Sequence, residues 1–343
     1  MKGKKAYLYC DPKSLNDATN NYVELMMKPL KSKGYQIFTV HNIRDITLPD
    51  VIITITEKYF FFAKLRFPLA KSIYWAQGVD AEESKMNITT FTQCLRYIFR
   101  RFAEPIAIKK SNLLFCVSER MVRYYCDNYG LKRTDHVVVM PCYNLSLSAE
   151  FNIKQYSKPV FAYAGNTGIW QGVDFMLDVF AKIEKSIPES RFCIFTGNKY
   201  EFEFKLRERG ILNYEIKYVP VDVLQDELHK CKYGFILRTN HIVNQVATPT
   251  KMNSYLAAYI IPIFSDGVDD FKRNINLDEF ELMCKCPLDV NTVARQIIEF
   301  ENTSKDYAKY KSVVQKIFDN HYNDSTYEDE ISRMVDKYII NGK

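Results

Sequence analysis

The sequence predicts an α/β protein built from two doubly wound parallel sheets, and three observations support this fold class. Short apolar runs alternate with stretches of helical period, which is the pattern of a parallel sheet covered by helices. The alternation occurs twice, and residues 144–158, which are polar and have no clear period, separate the two series. The length of 343 residues suits two domains of ordinary size.

The first series of apolar runs predicts six strands and one domain over residues 1–150. The strands are expected at residues 5–10, 35–40, 51–56, 72–76, 113–117 and 137–140. We expect a polar loop over residues 11–21 and an amphipathic helix over residues 22–33. After the fifth strand, Ser118 and Glu119 offer a helix cap and an acidic first turn.

The second series predicts a similar domain over residues 151–321. Its strands are expected at residues 159–165, 191–197, 215–221, 234–237 and 260–265, and its first helices at residues 173–185, 200–210 and 224–231. A last helix within residues 322–343 carries an apolar stripe that includes Ile331, Met334 and Val335. We expect this helix to pack back on the first domain.

The composition is that of a globular protein, with 47% hydrophobic and 26% charged residues. The net charge of +6 suits an anionic ligand or a membrane surface and requires neither. Nine cysteines, an odd number mostly inside apolar runs, suggest reduced thiols and not a disulfide framework. No signal peptide and no window of about 18 apolar residues occurs, so we expect a cytoplasmic protein without a membrane span or a nucleic-acid partner.

The segment 234–266 reads as a strand, a polar loop at residues 239–247, a helix and a further strand. Thr248 is expected to cap this helix, and Pro249 occupies its predicted first position. In a parallel sheet this loop lies at the carboxyl edge, where ligands bind, and the free N–H groups of residues 250–252 would form an anion site. An ordinary strand–helix–strand unit with surface cations explains the same pattern.

Four segments in register resemble retaining enzymes of glycosyltransferase family 4. They are FAYAGNTGIWQGVDF at 161–175, YVPVDVLQDELHKCKYGFILR at 218–238, VATPTKMNSYLAAYIIPIF at 246–264 and IYWAQGVDAEES at 73–84. The last is similar to a block of bacterial polysaccharide-synthesising members. The resemblance implies the GT-B architecture, which is two Rossmann-like domains facing each other across a cleft. It also implies a nucleotide-sugar as donor substrate and no cofactor.

The resemblance places a donor site in the second domain. A glycine lets a backbone N–H approach a diphosphate closely, and arginine binds phosphate with two parallel hydrogen bonds. The alternatives are a turn glycine, solvated loop residues, a salt-bridged arginine and a solvated lysine. The candidate donor-binding residues are Gly165, Asn166, Thr167, Gln171, Arg238, Asn244, Thr250, Lys251 and Ser254.

Three donor-site positions depart from the family pattern. The family's basic pair in the first nucleotide loop falls at Asn166 and Gln171, which are uncharged. The glutamate that commonly holds the donor ribose falls at Ser254. The resemblance therefore allows a weak or inactive member, in which Arg238 and Lys251 would supply the charge that the missing pair provides elsewhere.

On the acceptor side, Gln77 stands where many relatives carry a histidine that faces the reacting sugar. Glutamine is no base, but Glu82 or Glu83 could orient an acceptor hydroxyl. An acidic helix start explains these carboxylates equally well. The sequence contains no Asp-x-Asp motif, so we expect no metal, with cations and a helix terminus balancing the phosphate charge.

The stretch 95–110 places apolar residues on one helical face and basic residues elsewhere. The apolar residues are Leu95, Ile98, Phe99 and Phe102, and the basic residues are Arg96, Arg100, Arg101, Lys109 and Lys110. This pattern suits peripheral contact with an anionic inner membrane. A core-packed helix with a solvated basic face is the alternative.

The resemblance implies a hexosyltransferase that moves a sugar from a nucleotide donor to a glycan or lipid-linked acceptor in bacterial surface polysaccharide synthesis. A retaining reaction without a metal is expected. One alternative is a non-catalytic GT-B-like subunit that binds a partner enzyme. Another is a sugar-nucleotide epimerase, which would need acid–base carboxylates and a histidine that the sequence does not offer.

Overall fold

In the computed structural model, residues 3–15 and 17–342 are described, and the chain forms two compact units. Unit 1 comprises residues 1–144, 245–248 and 323–343. Unit 2 comprises residues 145–244 and 249–322.

Unit 1 is built on a six-stranded parallel sheet with the order β2-β1-β3-β4-β5-β6. Its strands are β1 (Lys5–Tyr9), β2 (Gln36–Val40), β3 (Val51–Thr54), β4 (Lys71–Ala76), β5 (Leu113–Cys116) and β6 (Val137–Val139). Its first helices are α1 (Asp17–Ser32), α2 (Glu57–Arg66), α3 (Asp80–Met86), α4 (Phe91–Lys110) and α5 (Glu119–Tyr129). All the strands predicted in the first series are present.

Both ends of helix α5 in unit 1 are determined by the residues next to them in the sequence. Ser118 caps α5 by accepting a hydrogen bond from the Met121 N–H, and Gly130 ends α5 in a left-handed conformation. The predicted polar loop over residues 11–21 is wrong in its second half, because α1 already begins at Asp17. The asparagines and threonine there are weak helix formers, and packing of the following apolar face overrides that preference.

Unit 2 repeats the architecture with the strand order β12-β11-β10-β7-β8-β9. Its strands are β7 (Val160–Ala164), β8 (Arg191–Phe195), β9 (Tyr214–Lys217), β10 (Tyr233–Ile236), β11 (Ile261–Ser265) and β12 (Leu282–Cys284). Its helices are α6 (Val173–Ser186), α7 (Lys199–Glu208), α8 (Val221–Leu228), α9 (Ile242–Gln245), α10 (Thr250–Ala257), α11 (Asp269–Asn274), α12 (Val290–Glu301) and α13 (Tyr310–Asn320). The two parallel six-stranded sheets confirm the predicted fold class.

The last helix, α14 (Asp324–Val335), belongs to unit 1 and packs on α1. Ile331, Met334 and Val335 are buried, and a π-helical turn, Asp336–Ile340, continues the element. All nine cysteines are free thiols. Within the described part of the chain, no helix is both long and apolar enough to cross a bilayer.

Candidate functional site

Three polar side chains meet at the carboxyl edge of the unit 2 sheet. Arg238 follows β10, Gln171 ends the turn after β7, and Lys251 lies in the first turn of α10. The Gln171 side-chain oxygen accepts from Lys251 Nζ at 2.8 Å and from an Arg238 guanidinium nitrogen at 3.1 Å. One neutral oxygen therefore links two basic side chains that come from different elements of unit 2.

Gly165 completes this cluster at the end of β7. A Cβ atom at Gly165 would lie 2.8 Å from Lys251 Cε and 2.9 Å from Lys251 Nζ, so no larger residue fits without moving the amine. The Lys251 amine also lies 5.1 Å from the centre of the Tyr163 ring, whose hydroxyl donates to the Asn166 carbonyl oxygen at 2.6 Å. The glycine therefore brings backbone close to the cation pair, as a diphosphate pocket requires.

The electrostatics of the cluster favour an anionic ligand. Burial, with a contribution from nearby Arg238, lowers the pKa of Lys251 well below its ordinary value. Arg238 is itself only 5% exposed. A phosphate placed beside the two cations would stabilise the charged amine and restore its pKa, because an opposite charge favours the charged form. We expect the site to bind anions more tightly when Lys251 is protonated.

The start of α10 differs from the sequence prediction in two respects. Thr248 does not cap the helix: Pro249 occupies the cap position, and the Thr248 hydroxyl accepts from the Cys142 N–H within unit 1. The Met252 N–H is not free, because it donates to the Pro249 carbonyl oxygen. The predicted loop at residues 239–247 is also wrong in part, since it contains the short helix α9. An anion at this edge of the unit 2 sheet would therefore meet side-chain cations more than a free helix terminus.

The remaining donor-site candidates lie around this cluster with their own partners. The Thr167 hydroxyl donates to Glu201, and the Asn166 side-chain oxygen accepts from the Gly168 N–H. Ser254, in α10, donates to the carbonyl oxygen of Thr250 one turn earlier. Asn244, in α9, is fully buried and donates to the Thr239 carbonyl oxygen. Thr250 is half-buried at the first position of α10.

The acceptor-side candidates lie after β4 in unit 1. Gln77 is exposed directly after the strand, and Glu82 and Glu83 lie in the first turn of α3. Glu82 accepts a hydrogen bond from the Tyr124 hydroxyl at 3.3 Å. Gly78 gives Glu83 room, since a Cβ there would lie 2.5 Å from its carboxylate oxygen.

A buried acidic cluster that the sequence did not reveal lies beside these residues. Glu104 is completely buried and accepts from the N–H groups of Asp80 and Ala81 and from the Tyr129 hydroxyl. Burial raises the pKa of Glu104 to about 8, and Asp80 adds to the shift. The N-terminus of α3 is thus held by a carboxyl group from α4, because no residue at the start of α3 caps it with a side chain.

The second member of the buried acidic cluster is Glu57, at the start of α2. It lies 3.2 Å from the Nε atom of Arg100, and burial together with Asp80 raises its pKa to about 9. One arginine cannot balance three carboxylates in a buried space. Burial and the neighbouring carboxylate therefore favour the protonated forms of Glu57 and Glu104. The members of the cluster are far apart in the sequence, so no local motif predicts the cluster.

Comparison with known proteins shows the fold. The structure is similar to that of HepE from Anabaena in complex with UDP-glucose, with a TM-score of 0.69, 10% identity, and coverage of 96% of this chain and 99% of HepE. Sucrose-phosphate synthase from Thermosynechococcus elongatus is similar with a TM-score of 0.67 and 12% identity over 96% of this chain and 97% of that enzyme.

TarM from S. aureus, in complex with UDP, is similar with a TM-score of 0.62 and 12% identity. The match covers 83% of this chain but only 55% of TarM. No protein-family model matches the chain, and no curated protein matches it in sequence. The fold is that of the GT-B glycosyltransferases.

Proposed function

We propose that this protein is a glycosyltransferase that moves a sugar from a nucleotide-sugar donor to a glycan or lipid-linked acceptor in the synthesis of a surface polysaccharide. The observation that carries the proposal is the cluster of Arg238, Gln171 and Lys251 beside Gly165, at the edge of a parallel sheet where anionic ligands bind. The GT-B structures in complex with UDP or UDP-glucose support a nucleotide-sugar donor.

In the proposed reaction the bond between the anomeric carbon and the donor diphosphate breaks, and the acceptor oxygen forms the new bond. Negative charge builds up on the leaving diphosphate, and Lys251 and Arg238 would stabilise it electrostatically. The leaving phosphate oxygen would take the acceptor proton, so no side-chain base or nucleophile is required and configuration is retained. We propose a metal-independent reaction because Lys251 and Arg238 would supply the positive charge that a metal ion supplies elsewhere.

Glu82 or Glu83 would orient the acceptor hydroxyl. Both stand at the start of α3, and Glu82 is already fixed by Tyr124. Gln77, which is exposed, can hydrogen-bond a sugar without exchanging a proton. These three residues would position the acceptor and not the donor. Substituting them should therefore slow transfer without weakening donor binding.

The proposal is tested by thermal unfolding of the purified protein with UDP, GDP, CMP, dTDP and ADP, with and without EDTA. A ligand at 100 times its dissociation constant adds about 2.7 kcal/mol to stability, which raises the melting temperature measurably. We expect a rise with one nucleotide that EDTA does not change. The matching nucleotide-sugar should then be consumed only when an acceptor is present.

No rise with any nucleotide would contradict the donor site and favour the non-catalytic partner subunit. Conversion of the nucleotide-sugar without an acceptor, into an epimer, would favour the epimerase.

We further propose that α2 and α4 contact an anionic membrane beside a lipid-linked acceptor. Phe61 of α2 packs edge-on against Phe102 of α4, which joins the two helices. Leu95, Ile98 and Phe102 of α4 are each more than half exposed. The acidic residues of the two helices, Glu57 and Glu104, are buried, so their exposed charge is entirely positive. Apolar and basic side chains together suit an anionic lipid surface.

Vesicle sedimentation tests this membrane contact. The protein should bind vesicles of phosphatidylcholine with phosphatidylglycerol and leave pure phosphatidylcholine in solution. Combined Leu95→Ser, Ile98→Ser and Phe102→Ser substitutions should reduce the bound fraction several-fold, because each removes apolar area from the lipid contact. The matched control replaces three exposed apolar residues of unit 2, namely Phe204, Leu212 and Val223. Equal binding by both variants would contradict the contact.

A further inference from the structure

A basic cavity of about 670 Å³ lies in unit 1, and its lining includes none of the residues proposed for transfer. Three of its residues place it at the amino edge of the sheet: Lys71 begins β4, Asn112 immediately precedes β5, and His136 immediately precedes β6. Gln77, by contrast, follows the carboxyl end of β4. The six residues of β4 separate the two edges by about 20 Å. The cavity is therefore a separate place from the proposed acceptor site.

The cavity wall carries strong positive charge. Lys109 lies in the last turn of α4, Lys132 follows α5, and Lys337 belongs to the π-helical turn near the end of the chain. None of these three lysines has a carboxylate partner among the described residues, and none of the described residues that line the cavity is acidic. Three long cationic side chains from separate elements thus converge on one space without a counter-ion. Like charges that line one space repel each other, and an anion between them relieves that repulsion.

Two further cations are already engaged and frame the cavity. Lys71 donates to the Gly342 carbonyl oxygen at 2.6 Å, and Arg133 forms two hydrogen bonds to the Asp135 carboxylate. Tyr338 donates to the same carboxylate at 2.8 Å. These contacts tie the end of the chain to the sheet edge and fix the wall that presents Lys337.

Neutral donors are also present in the wall. The Asn112 side-chain oxygen accepts from the N–H and the hydroxyl of Ser72, which leaves the amide nitrogen without a partner among the described residues. The His136 side chain is buried, with 8% exposure, and burial lowers the pKa of its ring, which favours the neutral form. An amide nitrogen with fixed orientation and three mobile cations is a donor set for phosphate oxygens.

We propose that this amino-edge cavity of unit 1 is a second ligand site, which binds a molecule carrying two or more phosphate groups. Its volume falls within the roughly 300–1,000 Å³ of small-molecule sites and is far larger than a single phosphate needs. The phosphates belong either to a soluble molecule or to the headgroup of a lipid. By joining Lys109 and Lys132 to Lys337, the ligand would stabilise the end of the chain against the sheet.

The test uses the full chain and two probes. Inorganic tripolyphosphate, titrated in a calorimeter, represents the soluble source. Vesicles of phosphatidylcholine with cardiolipin, which carries two phosphates, represent the lipid source, and vesicles in which phosphatidylglycerol supplies the same charge are the comparison. The test variant combines Lys109→Ala, Lys132→Ala and Lys337→Ala, which removes no ion pair found among the described residues and should leave folding intact. The control variant removes three exposed lysines of unit 2 that form no such pair: Lys158, Lys272 and Lys311.

We expect the test variant to lose at least about 100-fold in affinity, since each lost charge-assisted bond weakens binding several-fold or more. The control variant should bind like the wild type. The single variant Lys251→Ala, which removes a cation of the proposed donor site, should keep the binding. Tripolyphosphate binding identifies the soluble source. Tighter binding to cardiolipin vesicles than to phosphatidylglycerol vesicles, without tripolyphosphate binding, identifies the lipid source.

Binding that is lost in Lys251→Ala and kept in the test variant would overturn the proposal, as would the absence of binding to both probes. Because nucleoside diphosphates also carry two phosphates, the nucleotide screen is run on the test variant as well. A rise in melting temperature that the test variant keeps is assigned to the proposed donor site, so the proposed transfer is judged separately from the cavity.

Discussion

The variant Lys251→Ala is expected to lose donor binding and sugar transfer together. The Lys251 amine is one of two cations held by the Gln171 oxygen, and it touches the space that Gly165 leaves open. A hydrogen bond between charged partners contributes about 1.5–3 kcal/mol, so affinity for the nucleotide should fall about 10- to 150-fold. Transfer should fall further, because negative charge on the leaving diphosphate is greatest in the transition state.

Calorimetric titration of the nucleotide identified in the screen measures the loss, and release of that nucleotide from its sugar measures transfer. Lys158→Ala, an exposed lysine of the same unit, is the matched control and should behave like the wild type. The variant Lys251→Arg keeps a positive charge at this position and should therefore retain part of the binding. Turnover that is unchanged in Lys251→Ala would contradict the assignment of the donor site to this cluster.

Strands such as β3, β5, β10 and β11 could be predicted because they are short apolar runs buried on both faces of their sheets, a pattern that depends only on neighbouring residues. The three-residue strand β12 is too short to give that pattern and is not among the predicted strands. Arg238 and Lys251 could be found as candidates because their positions follow from element order in a parallel sheet. The role of Gln171 could not be predicted from the sequence. In the sequence it replaces a basic residue, whereas in the structure its oxygen links two cations that lie 67 and 80 positions further along the chain.

Other features escaped prediction for the same physical reason. Thr248 has the sequence of a helix cap, but its hydroxyl bonds to the N–H of Cys142, more than one hundred residues away. The carboxyl group of Glu104 caps a helix on another part of the chain. Cap rules describe the residue next to the helix, and a distant side chain that satisfies the same N–H groups follows no local pattern.

Gly172 is expected to be among the most sensitive positions of unit 2. It joins the turn that carries Gln171 to α6 and has a left-handed backbone with a φ of +65°. A Cβ atom there would overlap the Leu237 carbonyl oxygen, which belongs to the residue before Arg238. Gly172→Ala therefore adds left-handed strain of about 1–2 kcal/mol and an overlap that typically costs about 1–3 kcal/mol.

The matched control is Gly210→Ala. Gly210 has nearly the same backbone, with a φ of +63°, but nothing lies within 4 Å of its Cβ position. Only the left-handed strain applies to it, so the difference between the two urea-unfolding midpoints isolates the close approach to Leu237. We expect Gly172→Ala to be the less stable by about 1–3 kcal/mol.

The same substitution connects stability to function. To relieve the overlap, the turn that carries Gln171 must move away from the end of β10, and the oxygen shared by Arg238 and Lys251 moves with it. Gly172→Ala should therefore weaken nucleotide binding even below its unfolding temperature, whereas Gly210→Ala should bind like the wild type. Lowered stability with unchanged binding would show that the close approach serves packing alone and that Gln171 does not set the spacing of the two cations.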